Sequence, residues 1–190
     1  MHKILITGGN GFIGYNLINF LSKKKKYQIS TSLYKNRDRN KILKKKIRIY
    51  KGDLKKKKNC LKITKNIDTV VMCAANSAGA KVMREKPMEH FNPNIFMNLN
   101  MLEAAYENKV KKFIFISSNA IYPTTNKSVN ENDVNNNFFE GYYIAAWMKR
   151  ISEIACNIYS LRLNKKMTTI IVRPGNLYGP FDKFDPKRKC

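Results

Sequence analysis

Apolar residues in this chain come in short unbroken runs: Ile4-Leu5-Ile6, Thr69 to Cys73, Phe113 to Ile116 and Met167 to Val172. Runs that do not alternate with polar residues mark strands buried on both faces, the condition of a parallel sheet covered by helices. Tyr27 to Leu33 belongs with them, although Ser30, Thr31 and Ser32 make it more polar, and Ile47 to Tyr50 is a shorter member of the set. Between these runs the period changes. Ile13, Leu17, Phe20 and Leu21 recur at helical spacing, as do Ile95, Leu99, Leu102 and Tyr106, and Tyr142 to Leu161 reads as a long helix. Asn92-Pro93 supplies a side-chain cap and a first-turn proline, which predicts a helix start there. Thr124 to Asn137 is polar without apolar period and predicts a loop over a crevice. Strands alternating with helices predict an α/β fold: a doubly wound parallel sheet with helices on both faces and right-handed crossovers.

A chain of 190 residues can bury one sizeable core, so one domain over 1–180 is expected, followed by a tail over 181–190. No apolar run reaches the length of a membrane span, and the first residues already form a strand rather than a leader, so a cytoplasmic location without membrane contact is expected. Cys60, Cys73, Cys156 and Cys190 show no CxxC spacing, which points to neither a metal site nor a disulfide. The formal net charge of +24 changes the picture less than its size suggests. Lysines cluster at Lys23 to Lys26, Lys44 to Lys46 and Lys55 to Lys58, beside helix ends and loops, and asparagine is frequent elsewhere. An A- and T-rich gene yields that composition without functional demand, so nucleic acid is not the expected partner.

The candidate chemistry begins at Thr7-Gly8-Gly9-Asn10-Gly11-Phe12-Ile13-Gly14, between the first strand and the first helix. A strand that turns through glycines into a helix builds an anion site, because the first helical N–H groups lack intrahelical partners and the dipole is positive there. Gly8, Gly11 and Gly14, with the opening residues Phe12 and Ile13, have the spacing of a dinucleotide pyrophosphate cradle of the Rossmann type. The end of the second strand selects the cofactor. Lys35 and Arg37 precede and flank Asp38, which favours the 2′-phosphate of NADP, with NAD the second choice. Asp53, with Leu54 beside it, stands where a carboxylate accepts from an adenine amino group, and equally where a turn aspartate caps a helix. Ala74 and Ala75 leave the fourth strand with side chains small enough for backbone to meet a ligand.

With these pieces assembled, the chain resembles the extended short-chain dehydrogenase/reductase family, the NAD(P)-dependent epimerases and dehydratases of nucleotide sugars. Thr7 to Gly14 is similar to its T-G-x-x-G-x-x-G, and Asn94 to Ala105 to its N-x-x-x-x-x-N-L-L-E-A-A helix. Ser117-Ser118 with Tyr122 matches S-S-x-x-x-Y, and Arg173 to Pro180 matches R-P-x-N-x-Y-G-P. Within the family, Ser118 to Pro123 and Asn176 to Pro180 are most similar to GDP-fucose synthase. The resemblance implies hydride transfer at a sugar carbon, with Tyr142 exchanging the proton, Ser118 orienting the oxygen, Asn176 contacting a nucleotide-sugar substrate, and a homodimer through helices 93–109 and 142–161.

The sequence departs from the family at the tyrosine–lysine pair. Aligning Tyr142 with the tyrosine of Y-x-x-x-K puts Ala146 at the lysine, and an inactive NAD(P)-binding module is the alternative reading. Lys149 lies about 10 Å along the helix from Tyr142, too far to substitute, and making it the family lysine puts Ala145 in the tyrosine's place. The family also continues beyond this length, so a truncated chain with most of the substrate domain missing is expected.

Overall fold

The computed structural model describes residues 1–34, 47–76, 80–164 and 167–182. Six parallel strands form one sheet: β1 (His2–Thr7), β2 (Tyr27–Leu33), β3 (Arg48–Lys51), β4 (Thr69–Met72), β5 (Lys112–Ile116) and β6 (Thr168–Val172), in the order β3-β2-β1-β4-β5-β6. Helices α1 (Phe12–Leu21), α2 (Lys57–Thr64), α3 (Ala80–Glu85), α4 (Pro87–Glu107) and α5 (Tyr143–Leu161) connect them. Strand order reverses between β1 and β4, and ligands of such sheets sit at the carboxyl ends flanking that reversal.

The unbroken apolar runs are explained by two cores, one on each face. Leu5, Val70, Met72, Phe113 and Phe115 point into the larger, against residues of α2, α4 and α5. Their neighbours Ile4, Ile6, Ile29 and Val71 point the other way, against Ile18 of α1. Each such side chain contributes about 1.5–3 kcal/mol on burial. The hydroxyls of β2 are paired across the strand: Ser30 Oγ and Thr31 Oγ1 donate to the carbonyls of Ile4 and Ile6, at 3.3 and 2.6 Å. A buried strand therefore tolerates them.

One helix starts earlier than its sequence predicts. α4 begins at Pro87, with Pro93 in its interior rather than in its first turn. Proline at that position cannot donate to the Glu89 carbonyl. Asn76 Nδ2 takes the vacated acceptor at 3.1 Å, while Asn94 Nδ2 donates to the carbonyls of His90 (2.7 Å) and Asn76 (3.2 Å). A side-chain clamp from the end of β4 thus carries the helix through its proline, and Asn92 is not the cap.

The exposed Lys26, Lys65, Lys109 and Lys111 precede β2, β4 and β5, and exposed Lys112 opens β5, at the edge opposite the carboxyl ends. These five charges therefore lie away from the crevice.

Candidate functional site

The glycine turn is built as its spacing predicts, with a separate reason at each glycine. Gly8 has φ +68°, and a Cβ there would stand 2.7 Å from Ala74 Cα. A Cβ on Gly14 would meet the Gly8 carbonyl oxygen at 2.5 Å, so this glycine lets α1 close onto the turn. A Cβ on Gly11 would meet only that same oxygen, at 3.1 Å, leaving its other side open for a ligand's approach. Gly11 is the N-cap of α1, no side chain caps the helix, and no acidic residue lies in its first turn. The amides of Phe12, Ile13 and Gly14 open this helix at the positive end of its dipole.

A residue the sequence reading left unassigned sets this turn in place. Thr7 is fully buried, and its Oγ1 accepts from the amides of Cys73 and Ala74, both at 3.0 Å, while donating to the Val71 carbonyl at 3.4 Å. The ends of β1 and β4 are thereby tied, and Ala74 is held against Gly8. Ala75 follows it to the exposed end of the segment. Gly9 is equally constrained, because a Cβ would come within 2.3 Å of Thr31 Oγ1.

Asp53 makes the turn contacts of its second reading: Oδ1 accepts from the Lys55 amide at 2.9 Å, and Oδ2 lies 3.6 Å from Lys55 Nζ. Leu54 packs its side chain into the larger core. A cavity of about 180 Å³ flanks them, lined by Ser32, Tyr50, Gly52, Asn59 and Lys62 among others, at the carboxyl ends of β2 and β3. Lys35 and Arg37 lie outside the described residues.

On the other side of the reversal, the segments leaving β5 and β6 are locked together. The Ser117 amide donates to Val172 and the Asn119 amide to Pro174, at 2.7 and 3.0 Å. Ser118 Oγ accepts from the Ala120 amide at 3.2 Å, capping the short turn Asn119–Ile121. Asn176 is exposed. Tyr142 is 49% exposed, closes the turn Glu140–Tyr142 and stacks edge-on against Phe139 at 5.7 Å. Ala146 is fully buried in an apolar cluster with Ile121 and Phe138.

Two features here carry no signal in a linear reading, because their partners are distant in sequence. Glu153 is fully buried on α5, yet its carboxylate is satisfied: Arg173 Nε and Nη2 donate to it at 3.1 and 2.9 Å, and Ser117 Oγ donates to Oε1. Arg173 also donates to the Tyr122 hydroxyl and the Glu131 carbonyl, at 3.1 and 3.0 Å, so one ion pair fixes β5, β6, α5 and the polar loop. Lys149 is the second feature. Its Nζ donates to the Ile116 carbonyl at 2.7 Å and lies 5.1 Å from the Phe115 ring centroid. Burial pulls its pKa down to about 8, against the opposing fields of Cys73 and Glu153. Burial pushes the neighbouring Cys73 thiol up to about 12. His90 is held below its usual value by burial and by the charge of Lys149, and among the described residues its Nδ1 has no hydrogen-bond partner.

Among the described residues no group of His, Cys, Asp and Glu could hold a metal ion, and no helix is long and apolar enough to cross a membrane.

Known proteins share this arrangement. GDP-mannose 3,5-epimerase of Arabidopsis thaliana is 31% identical over 185 residues, covering 94% of this chain and 48% of its own length. GDP-L-fucose synthase of Escherichia coli is 28% identical over 125 residues, covering 65% of this chain and 38% of its own. A UDP-N-acetylglucosamine 4-epimerase structure from Methanobrevibacter ruminantium superposes with a TM-score of 0.83 at 25% identity, covering 100% of this chain and 60% of its own. UDP-glucose 4-epimerase of Thermus thermophilus in complex with NAD gives 0.80 at 26% identity, covering 97% and 58%. The chain thus spans about half the length of the curated relatives it matches. A family model for NAD dependent epimerases and dehydratases matches residues 4–190, from the first buried strand through the glycine turn to the end. On that match the chain belongs to the NAD dependent epimerase/dehydratase family.

Proposed function

We propose that this chain carries the dinucleotide-binding half of a nucleotide-sugar epimerase, dehydratase or reductase. The observation that supports it best is the cradle itself: Gly8 seated against Ala74, and an uncapped α1 terminus beside the open face of Gly11. A pyrophosphate would be held by the amides of Phe12, Ile13 and Gly14 beside Gly11, whose own amide donates to the Gly8 carbonyl at 2.8 Å, with Asp53 near the adenine and Ala74 and Ala75 along the ribose. The bound nicotinamide supplies a hydride acceptor and donor. The residues of the chain then have the task of holding a sugar hydroxyl at the carboxyl edge and moving its proton. In this reading Ser118 orients that oxygen, Tyr142 exchanges the proton, and Asn176 contacts the substrate. The locked backbone between Ser117, Asn119, Val172 and Pro174 keeps Ser118 and Asn176 on neighbouring segments.

A second reading, dinucleotide binding without turnover, is favoured by one specific observation. Ala146, at the position of the family lysine when Tyr142 is the tyrosine, lies in an apolar cluster and contributes no charge. Titration with NADPH and NADH, followed by nicotinamide fluorescence, tests the shared premise. Saturable binding of either supports it, and NADPH binding more tightly would agree with Lys35 and Arg37 near a 2′-phosphate. Absence of binding by both refutes it. Conversion of UDP-glucose, GDP-mannose or a 4-keto sugar nucleotide then separates an enzyme from a binding module. A dimer through α4 and α5 is part of the proposal; Phe96 and Leu99 on one helix and Ile154 and Ile158 on the other are exposed apolar residues.

A further inference from the structure

In a sheet whose strands are all parallel, every strand start shares one edge with the end of the helix leading to it, so loops far apart in sequence become neighbours there. Followed in strand order from β3 to β6, that edge meets Arg48, Lys26, Lys3, Lys65, Lys111 and Arg162 in turn, each of them exposed. Every strand position thus carries a cation. Lys23 to Lys25 thicken the row before β2, and Lys109 and Lys112 thicken it at β5. Among the described residues of these strand starts and the loops leading to them, Asp68 is the one carboxylate, 3.9 Å from His2 and 3.7 Å from Lys111.

Two ordinary causes do not account for this sorting. An A- and T-rich gene sets how many lysines there are, not where carboxylates fall, and the carboxyl side holds Asp53, Glu131, Asp133 and Glu140 among its cations. Helix dipoles draw cations to C-terminal ends, but only over the last turn; α1, α4 and α5 carry no basic residue in theirs, and the lysines follow them. At about 4.8 Å between strands the row runs about 24 Å, which at about 3.4 Å per phosphate matches about seven phosphates of one nucleic-acid strand. Rings lie within it. Lys24 Nζ sits 5.3 Å from the ring centroid of the exposed Phe20, and Lys26 Nζ sits 5.1 Å from that of the half-buried Tyr27. Cations interleaved with aromatic faces suit a single strand, whose phosphates pair with the first while its bases stack on the second.

We propose that the amino edge of the sheet is a binding surface for single-stranded nucleic acid, held through phosphates and base faces without regard to sequence. Composition alone did not point to that partner, because in linear order the lysines are dispersed; the parallel topology gathers them. The surface lies across the sheet from the glycine turn, so it is independent of the dinucleotide reading and leaves that site free.

Fluorescence anisotropy with labelled dodecamers of oligo-U and oligo-dT, from about 50 to 200 mM KCl, tests it on the whole chain, with thermal melts to verify the folding of each variant. For about six phosphate contacts and a single-strand slope of about −0.7 per contact, affinity is expected to fall about 300-fold across that range. The combined variant Lys24→Gln, Lys26→Gln, Lys65→Gln and Lys112→Gln is expected to lose about two thirds of the slope and to bind at least about a hundredfold more weakly at the lowest salt. A control with the same net charge, Lys56→Gln, Lys58→Gln, Arg84→Gln and Lys127→Gln, alters exposed residues on the carboxyl side and is expected to bind within about threefold of the unmodified chain. Phe20→Ala is expected to bind about tenfold more weakly with the slope unchanged, the signature of a lost stacking contact. Equal losses in the two combined variants reduce the effect to net charge and overturn the surface. Phe20→Ala binding like the unmodified chain overturns the single-strand assignment, and no binding of either dodecamer at the lowest salt overturns the whole. If vesicles containing phosphatidylserine bind instead of the oligonucleotides, the edge meets a membrane and the proposal fails.

Discussion

Placing a lysine at position 146 tests the geometry of α5 most directly, because a linear alignment and the structure predict opposite outcomes. By alignment, Ala146→Lys restores a missing cation. In the structure, Ala146 is 0% exposed, enclosed by Ile121 at 0% and Phe138 at 7%, with Ala120, Val134 and Trp147 packed around them. The longer side chain overpacks this cluster at about 1–3 kcal/mol. Its ammonium must also be shed. A buried lysine loses about 3–5 units of pKa, and at 1.36 kcal/mol per unit, counted only from about 10.4 down to neutrality, the second cost is about 4.6 kcal/mol at pH 7. The sum, about 6–8 kcal/mol, is comparable to the whole stability of a typical domain and corresponds to a Tm lower by about 12–30 °C in a chain of this size. The pH dependence has a definite sign. The folded chain holds the new amine neutral while the unfolded chain protonates it, so stability recovers as pH rises toward about 10. Circular dichroism melts at pH 7 and 9.5 measure both effects. A variant that melts within 2 °C of the parent at pH 7, or one whose deficit does not shrink at pH 9.5, would refute the burial argument.

Three other substitutions probe separate parts of the structure. Gly8→Ala combines a left-handed backbone with a Cβ 2.7 Å from Ala74 Cα; it should cost at least about 1–2 kcal/mol and abolish NADH binding, read by melting and fluorescence titration. Glu153→Gln leaves the guanidinium of Arg173, 14% exposed, without its charge partner; chemical denaturation should show a loss of about 3–5 kcal/mol. Lys149→Met removes a cation whose folded pKa is lowered to about 8 from 10.5; the unfolded chain binds that proton more tightly, so the parent is penalised below pH 8 and the penalty fades as pH rises through 10.5. The variant should therefore melt several degrees higher at pH 7 and lose that advantage by pH 10.5, as differential scanning calorimetry would show.

Some of this protein is legible in the linear order of its residues because the relevant physics is local. Strands that are apolar at every position demand cover on both faces, which dictates helices between them and hence the parallel, doubly wound sheet. The glycine turn is equally local: Gly8, Gly11 and Gly14 each answer a constraint set within seven residues and one neighbouring strand end. The β2 hydroxyls looked out of place only because their acceptors, Ile4 and Ile6, lie on another strand. Helix α4 began earlier than Asn92 because the acceptor freed by Pro93 is filled from Asn76, across a turn.

The reactive edge is different, since what matters there is where a helix points once it packs. Spacing alone left Tyr142 with Ala146 and Ala145 with Lys149 as rival registers, each lacking one member of a pair. Burial of Ala146 against Ile121 and Phe138, and capture of Glu153 by Arg173 and Ser117, set a rotation of α5 in which Lys149 reaches the end of β5. Rotation of a helix about its axis is set by which side chains can be desolvated together, and that depends on partners tens of residues away.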